Sequence, residues 1–137
     1  MSCTYKLLAK CLDEKDLPII GIDPGENCGL IVRLRDVILF SWEGPKDLLI
    51  DTIERVLNEI EVSRIMVGNG NIDTSTQLII ALMEIASKKS IPLYLVDEPR
   101  TSVGTSKFRK AMLSKKLGRH AYSAFLISRK VSAFRLL

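Results

Sequence analysis

The sequence predicts an α/β fold with one mixed five-stranded sheet, and two observations carry that prediction. Three strand patterns separated only by tight turns come first, whereas strands and helices alternate afterwards. Strands joined by tight turns run antiparallel, because a parallel return needs a crossover of about a dozen residues. Alternating strands and helices indicate parallel pairs joined by crossover helices. The expected order is β-β-β-α-β-α-β-α-α, with helices on both faces of the sheet.

Local patterns justify each strand in the first part of the chain. We expect the three antiparallel strands at 17–23, 28–35 and 37–42. The first is apolar, rich in β-branched residues and followed by Pro24-Gly25, which is typical of a buried central strand. A tight reversal at Asp36 separates the second from the third, which stops at a Glu-Gly-Pro run.

The pattern changes to helical spacing after Pro45. Apolar residues from Leu48 to Ile60 recur three and four apart, which predicts an amphipathic helix. A second helix is expected to take its N-cap from Thr74, Ser75 or Thr76. The remaining expected elements are strands at 64–67 and 91–96 and helices at about 101–113 and 120–136.

Length and composition favour a single globular domain over 1–137, with 1–16 as an N-terminal extension. The chain has 137 residues, of which 47% are hydrophobic and 26% charged. Its three cysteines have no CxxC spacing, which favours reduced thiols. We find no leader pattern and no apolar run long enough to span a bilayer, so we expect a soluble cytoplasmic protein with no membrane partner.

Charge is strongly segregated along the chain. Residues 1–98 contain 10 Lys+Arg and 16 Asp+Glu, whereas 99–137 contain 10 Lys+Arg and no acid. The segment 99–137 is therefore expected to be a basic helical region suited to a polyanion such as DNA or RNA. A solvated helix face, or a surface for an acidic protein partner, is the alternative interpretation.

Two strand ends carry acids suited to metal binding. Asp23 closes the predicted central strand, and Gly29 beyond it leaves room for a phosphate or for a neighbouring backbone. A strand-end Asp can also merely cap a turn. Asp97 and Glu98 close the fifth strand, and Arg100 follows them. The acids suit a metal ion and the arginine suits a phosphate. Alternatively, the acids lie at a helix N-terminus and offset its dipole. Alternation places these two acids on opposite faces, so only one is expected to join Asp23.

A third candidate is His120, the single histidine of the chain. It opens the last predicted helix, where an imidazole could complete a metal site. A surface or satisfied core histidine is the ordinary alternative.

These stretches together resemble the YqgF/RuvX-type members of the RuvC-like nucleases, in the ribonuclease H-like superfamily. The resemblance rests on motifs in the same order: IDPG at 22–25, VG at 67–68, DEPRTS at 97–102 and HAYSAFLI at 120–127. The residues of the IDPG motif are closer to those of RuvC-type Holliday junction resolvases. The predicted element order is also most characteristic of ribonuclease H-like folds.

The resemblance implies metal-dependent cleavage of a structured nucleic acid, either a four-way DNA junction or a ribosomal RNA precursor. It makes Asp23 the first catalytic acid and Glu98, with Asp97 as the alternative, the second. His120 stands at the place of the third acid, as in some resolvases, and Ser123 where resolvases carry another Asp. Pro99 also departs from the family pattern.

The implied ions are Mg²⁺ or Mn²⁺, and an imidazole ligand favours Mn²⁺. Cutting both strands of a junction needs two sites, so a homodimer is one expectation. Phosphate contacts are expected from Arg100, Lys107, Arg109, Lys110, Lys115, Lys116 and Arg119.

Three other functions fit parts of the sequence. A ribonuclease H-like module that binds nucleic acid but has lost catalysis keeps the basic segment. An actin-like sugar kinase or chaperone opens with a similar Gly-Ile-Asp-x-Gly loop, but such proteins need two domains to enclose ATP. A structural role would use the basic segment to dock an acidic partner.

Overall fold

The computed structural model describes residues 17–69, 72–96, 117–130 and 133–137. Its strands are β1 (Ile19–Asp23), β2 (Asn27–Leu34), β3 (Val37–Pro45), β4 (Arg64–Gly68), β5 (Leu93–Val96) and β6 (Ala133–Arg135). Its helices are α1 (Lys46–Glu59), α2 (Ile72–Lys89) and α3 (Arg119–Ser128). The strands form one sheet in the order β3-β2-β1-β4-β5-β6.

Strand pairing follows the expected mixed pattern. β1 pairs antiparallel with β2 and parallel with β4, β2 pairs antiparallel with β3, and β4 pairs parallel with β5. Tight turns thus join the antiparallel strands, and helices α1 and α2 lie in the connections to the parallel ones. β1 lies inside the sheet between β2 and β4, and its residues Ile20 and Ile22 have no exposed surface.

The two faces of the sheet are covered by different helices. Ile20, Ile65 and other alternate strand residues share a buried cluster with Leu49 and Ile53 of α1 and Leu82 of α2. The strand residues between these point to the other face of the sheet, and some of them, such as Ile31, pack against α3. This two-residue alternation is what a sheet buried on both faces requires, and it places helices on both faces as predicted.

The predicted N-cap of the second helix is wrong. α2 begins at Ile72, so Thr74, Ser75 and Thr76 lie within the helix and not before it. Only three residues, 69–71, separate the end of β4 from this helix.

The predicted final helix over 120–136 is also too long. α3 ends at Ser128, and Ala133–Arg135 form β6, antiparallel to β5. An unpaired β5 edge would expose a row of backbone donors and acceptors, and β6 satisfies them. The sheet therefore has a sixth strand beyond the five predicted.

The β2–β3 hairpin contains one irregularity. Leu34 pairs with Val37 across a two-residue turn in which Arg35 has a positive φ of 54°. The register then shifts between Val32 and Arg33, as at a β-bulge. Beyond the shift, Gly29 lies opposite Glu43.

Several expectations fall outside the described residues. They are the N-terminal extension 1–16, the helix at 101–113, and the thiols of Cys3 and Cys11. Among the helices that the structure describes, none is long and apolar enough to span a bilayer.

Candidate functional site

The site is built around the carboxyl end of β1. Asp23 is the last residue of that strand, and its side chain is 16% exposed. The three residues before it, Ile20 to Ile22, are buried, so the backbone that carries Asp23 is held firmly by packing. An aspartate at the end of a rigid interior strand has its carboxylate placed at a fixed point of the surface.

His120 meets this carboxylate from the opposite layer. It is the second residue of α3, and its Nδ1 lies 3.5 Å from Oδ2 of Asp23. Its side chain is 34% exposed, so the pair is open to solvent on one side. Two residues almost a hundred positions apart in sequence therefore converge at the N-terminus of a helix, where the dipole favours negative charge.

Gly29 lets the helix approach the sheet. It pairs with Asp23 across the β1–β2 ladder, and a Cβ at this position would meet the backbone carbonyl of His120. The same Cβ would lie 2.8 Å from the amide nitrogen of Ala121. Of the two uses expected for Gly29, space for a neighbouring backbone is the one that the structure has, and the space is filled.

Glu43 is a residue of this region that the sequence patterns did not single out. It lies on β3 opposite Gly29, and its Oε1 accepts a hydrogen bond of 2.8 Å from the backbone N–H of Ala121. In the sequence it reads only as part of a turn-forming Glu-Gly-Pro run. The sequence shows only that Glu43 is an acid near the end of a predicted strand, and this alone does not predict which residue it contacts.

Cys28 lies beside the site but is closed off. It has no exposed surface and is a free thiol whose Sγ lies 3.3 Å from the Gly25 carbonyl oxygen. Burial raises the pKa of this thiol, and the nearby Asp23 carboxylate acts in the same direction. A buried, protonated thiol is a poor metal ligand and a poor nucleophile.

The other end of α3 is held by an arginine from the sheet. Arg33 Nε donates to Ser128 Oγ at 2.7 Å, and its Nη2 donates to the Ser128 carbonyl at 2.6 Å. Burial lowers the pKa of Arg33, and the neighbouring Arg129 guanidinium lowers it further. Arg129 in turn lies 3.8 Å from Asp36. These contacts fix the C-terminal turn of the helix.

The remaining predicted site residues divide into two groups. Arg119 is exposed at the start of α3, next to His120, and Ser123 lies one turn further along the helix. The acids and cations outside the described residues are Asp97, Glu98, Arg100, Lys107, Arg109, Lys110, Lys115 and Lys116.

No third metal-binding residue joins the pair within the part of the chain that the structure describes. In residues 17–69, 72–96, 117–130 and 133–137 there is no group of three His, Cys, Asp or Glu side chains placed to hold an ion. Asp23 and His120 supply two ligand atoms. Any further protein ligand has to come from outside these ranges.

A cleft of about 500 Å³ lies on the opposite face of the sheet, between β3 and α1. Phe40 and Trp42 form part of its wall. Two of its polar side chains are engaged elsewhere: Thr52 donates to the Leu48 carbonyl, and Asn58 accepts from Lys89. The cleft is separated from Asp23 by the sheet, so it is not part of this site.

Comparison with solved structures identifies the architecture. Thermus thermophilus RuvC superposes with a TM-score of 0.64 at 17% identity, covering 88% of this chain and all of that one. The chain has the ribonuclease H-like fold of RuvC. T. thermophilus RuvC in complex with a Holliday junction substrate gives a TM-score of 0.60 at 16% identity, covering 82% of this chain and 90% of that one.

The likeness to RuvC confirms the predicted fold class and is a likeness of fold. The narrower resemblance to YqgF/RuvX-type proteins stays a prediction from sequence motifs. No protein-family model matches the chain, and no curated protein matches it.

Proposed function

We propose that this chain is a divalent-metal-dependent nuclease that acts on structured nucleic acid. The observation that carries the proposal is the 3.5 Å approach of His120 Nδ1 to Asp23 Oδ2 at the end of the central strand. In an open α/β sheet, ligands bind outside the carboxyl ends of the strands, and Asp23 lies there. The pair is partly buried yet open on one side, as a site for a phosphodiester must be.

The spacing of the two ligand atoms suits one shared ion. Atoms bound at the usual distances to a divalent metal lie about 3.0–3.5 Å from each other, and the His120–Asp23 pair lies at 3.5 Å. A carboxylate oxygen with an imidazole nitrogen is a donor set that Mn²⁺ and other transition ions accept more readily than Mg²⁺. We infer that Glu98, with Asp97 as the alternative, completes the ligand set.

Each residue has a separate role in this proposal. Asp23 supplies the fixed carboxylate, and the neighbouring His120, which is 34% exposed, supplies a nitrogen ligand. When bound, a divalent ion at this position supplies Lewis-acid polarisation of the phosphate and a bound water of lowered pKa. Arg119, adjacent to His120 and exposed, contacts a phosphate of the bound nucleic acid in this proposal.

The nature of the substrate is inferred from charge and from the RuvC comparison. Segment 99–137 has ten basic residues and no acidic ones, which suits a polyanion. T. thermophilus RuvC has a solved complex with a Holliday junction. We propose branched DNA as the first substrate to test and structured RNA as the second. Symmetric cutting of a junction would need a homodimer, since each nick needs its own site.

A cleavage assay with matched variants tests the proposal. Wild-type protein, Asp23→Asn and the exposed α1 variant Asp51→Asn are incubated with branched DNA, duplex DNA and structured RNA, in Mg²⁺ and then in Mn²⁺. We expect cleavage by wild type and Asp51→Asn, faster in Mn²⁺, and a loss of more than about a hundredfold in Asp23→Asn, since it removes a ligand itself. Asp23→Asn should still bind, because its basic segment is intact.

A second function is favoured by one observation: the described residues bring only two ligand side chains together. A ribonuclease H-like module that binds nucleic acid without cutting it would need no more. Binding of branched DNA by wild type with no cleavage in either metal would establish this alternative. Equal cleavage by wild type and Asp23→Asn would refute both roles for the pair.

A further inference from the structure

We propose that Glu43 is a positioning residue, which holds the first turn of α3 so that His120 meets Asp23. The expected effect of Glu43 on cleavage rests on the proposed nuclease function. Its effect on the position of the first turn of α3 rests only on the contacts of Glu43. The Glu43 carboxylate acts on the backbone of the helix. Its hydrogen-bond partner is the backbone of the residue after His120, Ala121.

The sheet places the two carboxylates on either side of the helix end. Asp23 pairs with Gly29, and Gly29 pairs with Glu43 across the next ladder. Residues directly opposite each other in antiparallel strands project from the same face. Asp23 and Glu43 therefore both rise towards α3, with the bare backbone of Gly29 between them.

The first turn of α3 lies in that gap. A Cβ on Gly29 would meet the His120 carbonyl, and a Cβ on Gly118 would meet the Glu43 carboxylate. A side chain at position 29 would displace the helix backbone, and one at position 118 would displace the Glu43 carboxylate. The helix end rests directly on β2, between an acid that contacts the His120 ring and one that binds the Ala121 amide.

Residues of α3 itself provide no side-chain cap at this end. Its N-cap, Gly118, makes no side-chain hydrogen bond, and the first turn contains no acid. The backbone N–H groups of a first turn have no partner within the helix, and Ala121 is the third helical residue. Glu43 therefore provides from β3 what an N-cap side chain usually provides, with a charge that suits the helix dipole.

Glu43 is not placed to share an ion with Asp23. Neighbouring strands are about 4.8 Å apart, so the Cα atoms of these two residues lie roughly 10 Å apart. The Glu43 carboxylate is directed to Ala121, and the helix backbone lies between the two acids. We infer that it acts through the helix and not on the metal.

Three variants and a control test this role. Glu43→Gln keeps an acceptor without the charge, and Glu43→Ala removes both. In Glu43→Ala/Gly118→Ser the serine occupies the space that the carboxylate left and caps the helix from within, since Gly118 has an extended backbone (φ −67°, ψ 171°) that serine adopts. Glu54→Ala, exposed on α1, is the control.

Two NMR readouts report the geometry without nuclease activity. They are the hydrogen-exchange rate of the Ala121 amide and the position of the imidazole signal, which is unique because His120 is the only histidine. We expect Glu43→Ala to raise the exchange rate by about tenfold or more, as for loss of a charge-assisted hydrogen bond, and to move the imidazole signal. Glu43→Gln should have a smaller effect, and the double variant should restore both readouts.

Cleavage kinetics add the functional test. Glu43→Ala should lower kcat about tenfold with little change in KM, and the double variant should recover most of it. If Ala121 exchange and the imidazole signal match the Glu54→Ala control in both Glu43 variants, the proposal is overturned. A loss of cleavage with both signals unchanged would overturn it too, because Glu43 would then act directly.

The two proposals fail in different ways. If wild-type protein cuts nothing but the NMR responses occur and are rescued, the nuclease proposal fails and the positioning role stands. If wild type cuts and Asp23→Asn does not, while the Glu43 variants behave like the control, only the positioning role fails.

Discussion

The two ends of α3 are both held by charged side chains from the sheet, yet they differ in exposure. At the N-terminus the Glu43 carboxylate binds the Ala121 amide, and the adjacent His120 side chain is 34% exposed. At the C-terminus the Arg33 guanidinium binds Ser128, which is 1% exposed. Each charge has the sign that the helix dipole favours at that end. The exposed N-terminal end, here called the open end, can present side chains to a ligand. The buried C-terminal end, here called the closed end, contributes only stability.

The largest expected effect comes from forcing the helix off the sheet. A Cβ on Gly21 would meet the Ala124 carbonyl and lie 2.7 Å from the Ser128 Cβ, so Gly21→Ala must displace backbone. We expect it to lower the free energy of unfolding by about 3 kcal/mol, the upper range for overpacking. Urea denaturation measures this. Gly25→Ala is the control, because its Cβ would meet only the Asn27 carbonyl, at 3.1 Å; equal losses in both variants would contradict direct contact of α3 with β1.

A smaller effect should separate the closed end from the open one. Arg33→Met removes two hydrogen bonds to Ser128 and leaves a buried helix terminus without its partner. We expect a loss of about 2 kcal/mol in stability, from the usual cost of losing hydrogen bonds to a charged group. The cleavage rate per folded molecule should stay within about twofold of wild type. Arg55→Met on α1 is the matched control, and a large drop in cleavage by folded Arg33→Met would mean that the closed end also serves the site.

The smallest effect concerns nucleic-acid binding at the two ends. Arg119→Ala should reduce the slope of log K against log salt by about 0.9, the value for one phosphate contact on duplex DNA. Arg129→Ala, at the far end of the same helix, should leave the slope unchanged because its guanidinium faces Asp36 and the Phe125 ring. Fluorescence anisotropy between 50 and 200 mM salt measures both, with an Asp23→Asn background to prevent cleavage. Equal slope changes in the two variants would mean that the binding surface extends along the helix as far as Arg129.

Local patterns were sufficient for most of the fold. The apolar β-branched run ending at Asp23 predicted the central strand, and tight turns predicted the antiparallel hairpins. The spacing of Leu49, Ile53, Val56 and Leu57 predicted α1, and these residues are buried. His120 was placed at a helix start, which it occupies as the second residue.

What sequence patterns missed depends on contacts between distant residues. β6 forms because the edge of β5 would otherwise be unpaired. The sequence of Ala133–Arg135 alone does not predict this pairing. The use of Gly29 depends on α3, whose first turn lies on it. Glu43 was missed because its position opposite Gly29 depends on the register of the whole hairpin.

The register shift in that hairpin has a consequence for insertions and deletions. If the pairs Leu34–Val37 and Arg33–Ile38 continued evenly, Trp42 would stand opposite Gly29, whereas the extra residue, Leu39, brings Glu43 there instead. If the hairpin kept Leu39 but paired without the bulge, an indole would replace the acid under the helix, because a shift of one residue exchanges the side chains on each face. Deleting Leu39 together with the bulge would keep Glu43 opposite Gly29. Hairpins on protein surfaces usually tolerate changes in length, but here a change in length between the turn and Glu43 has to be matched by a change in the bulge.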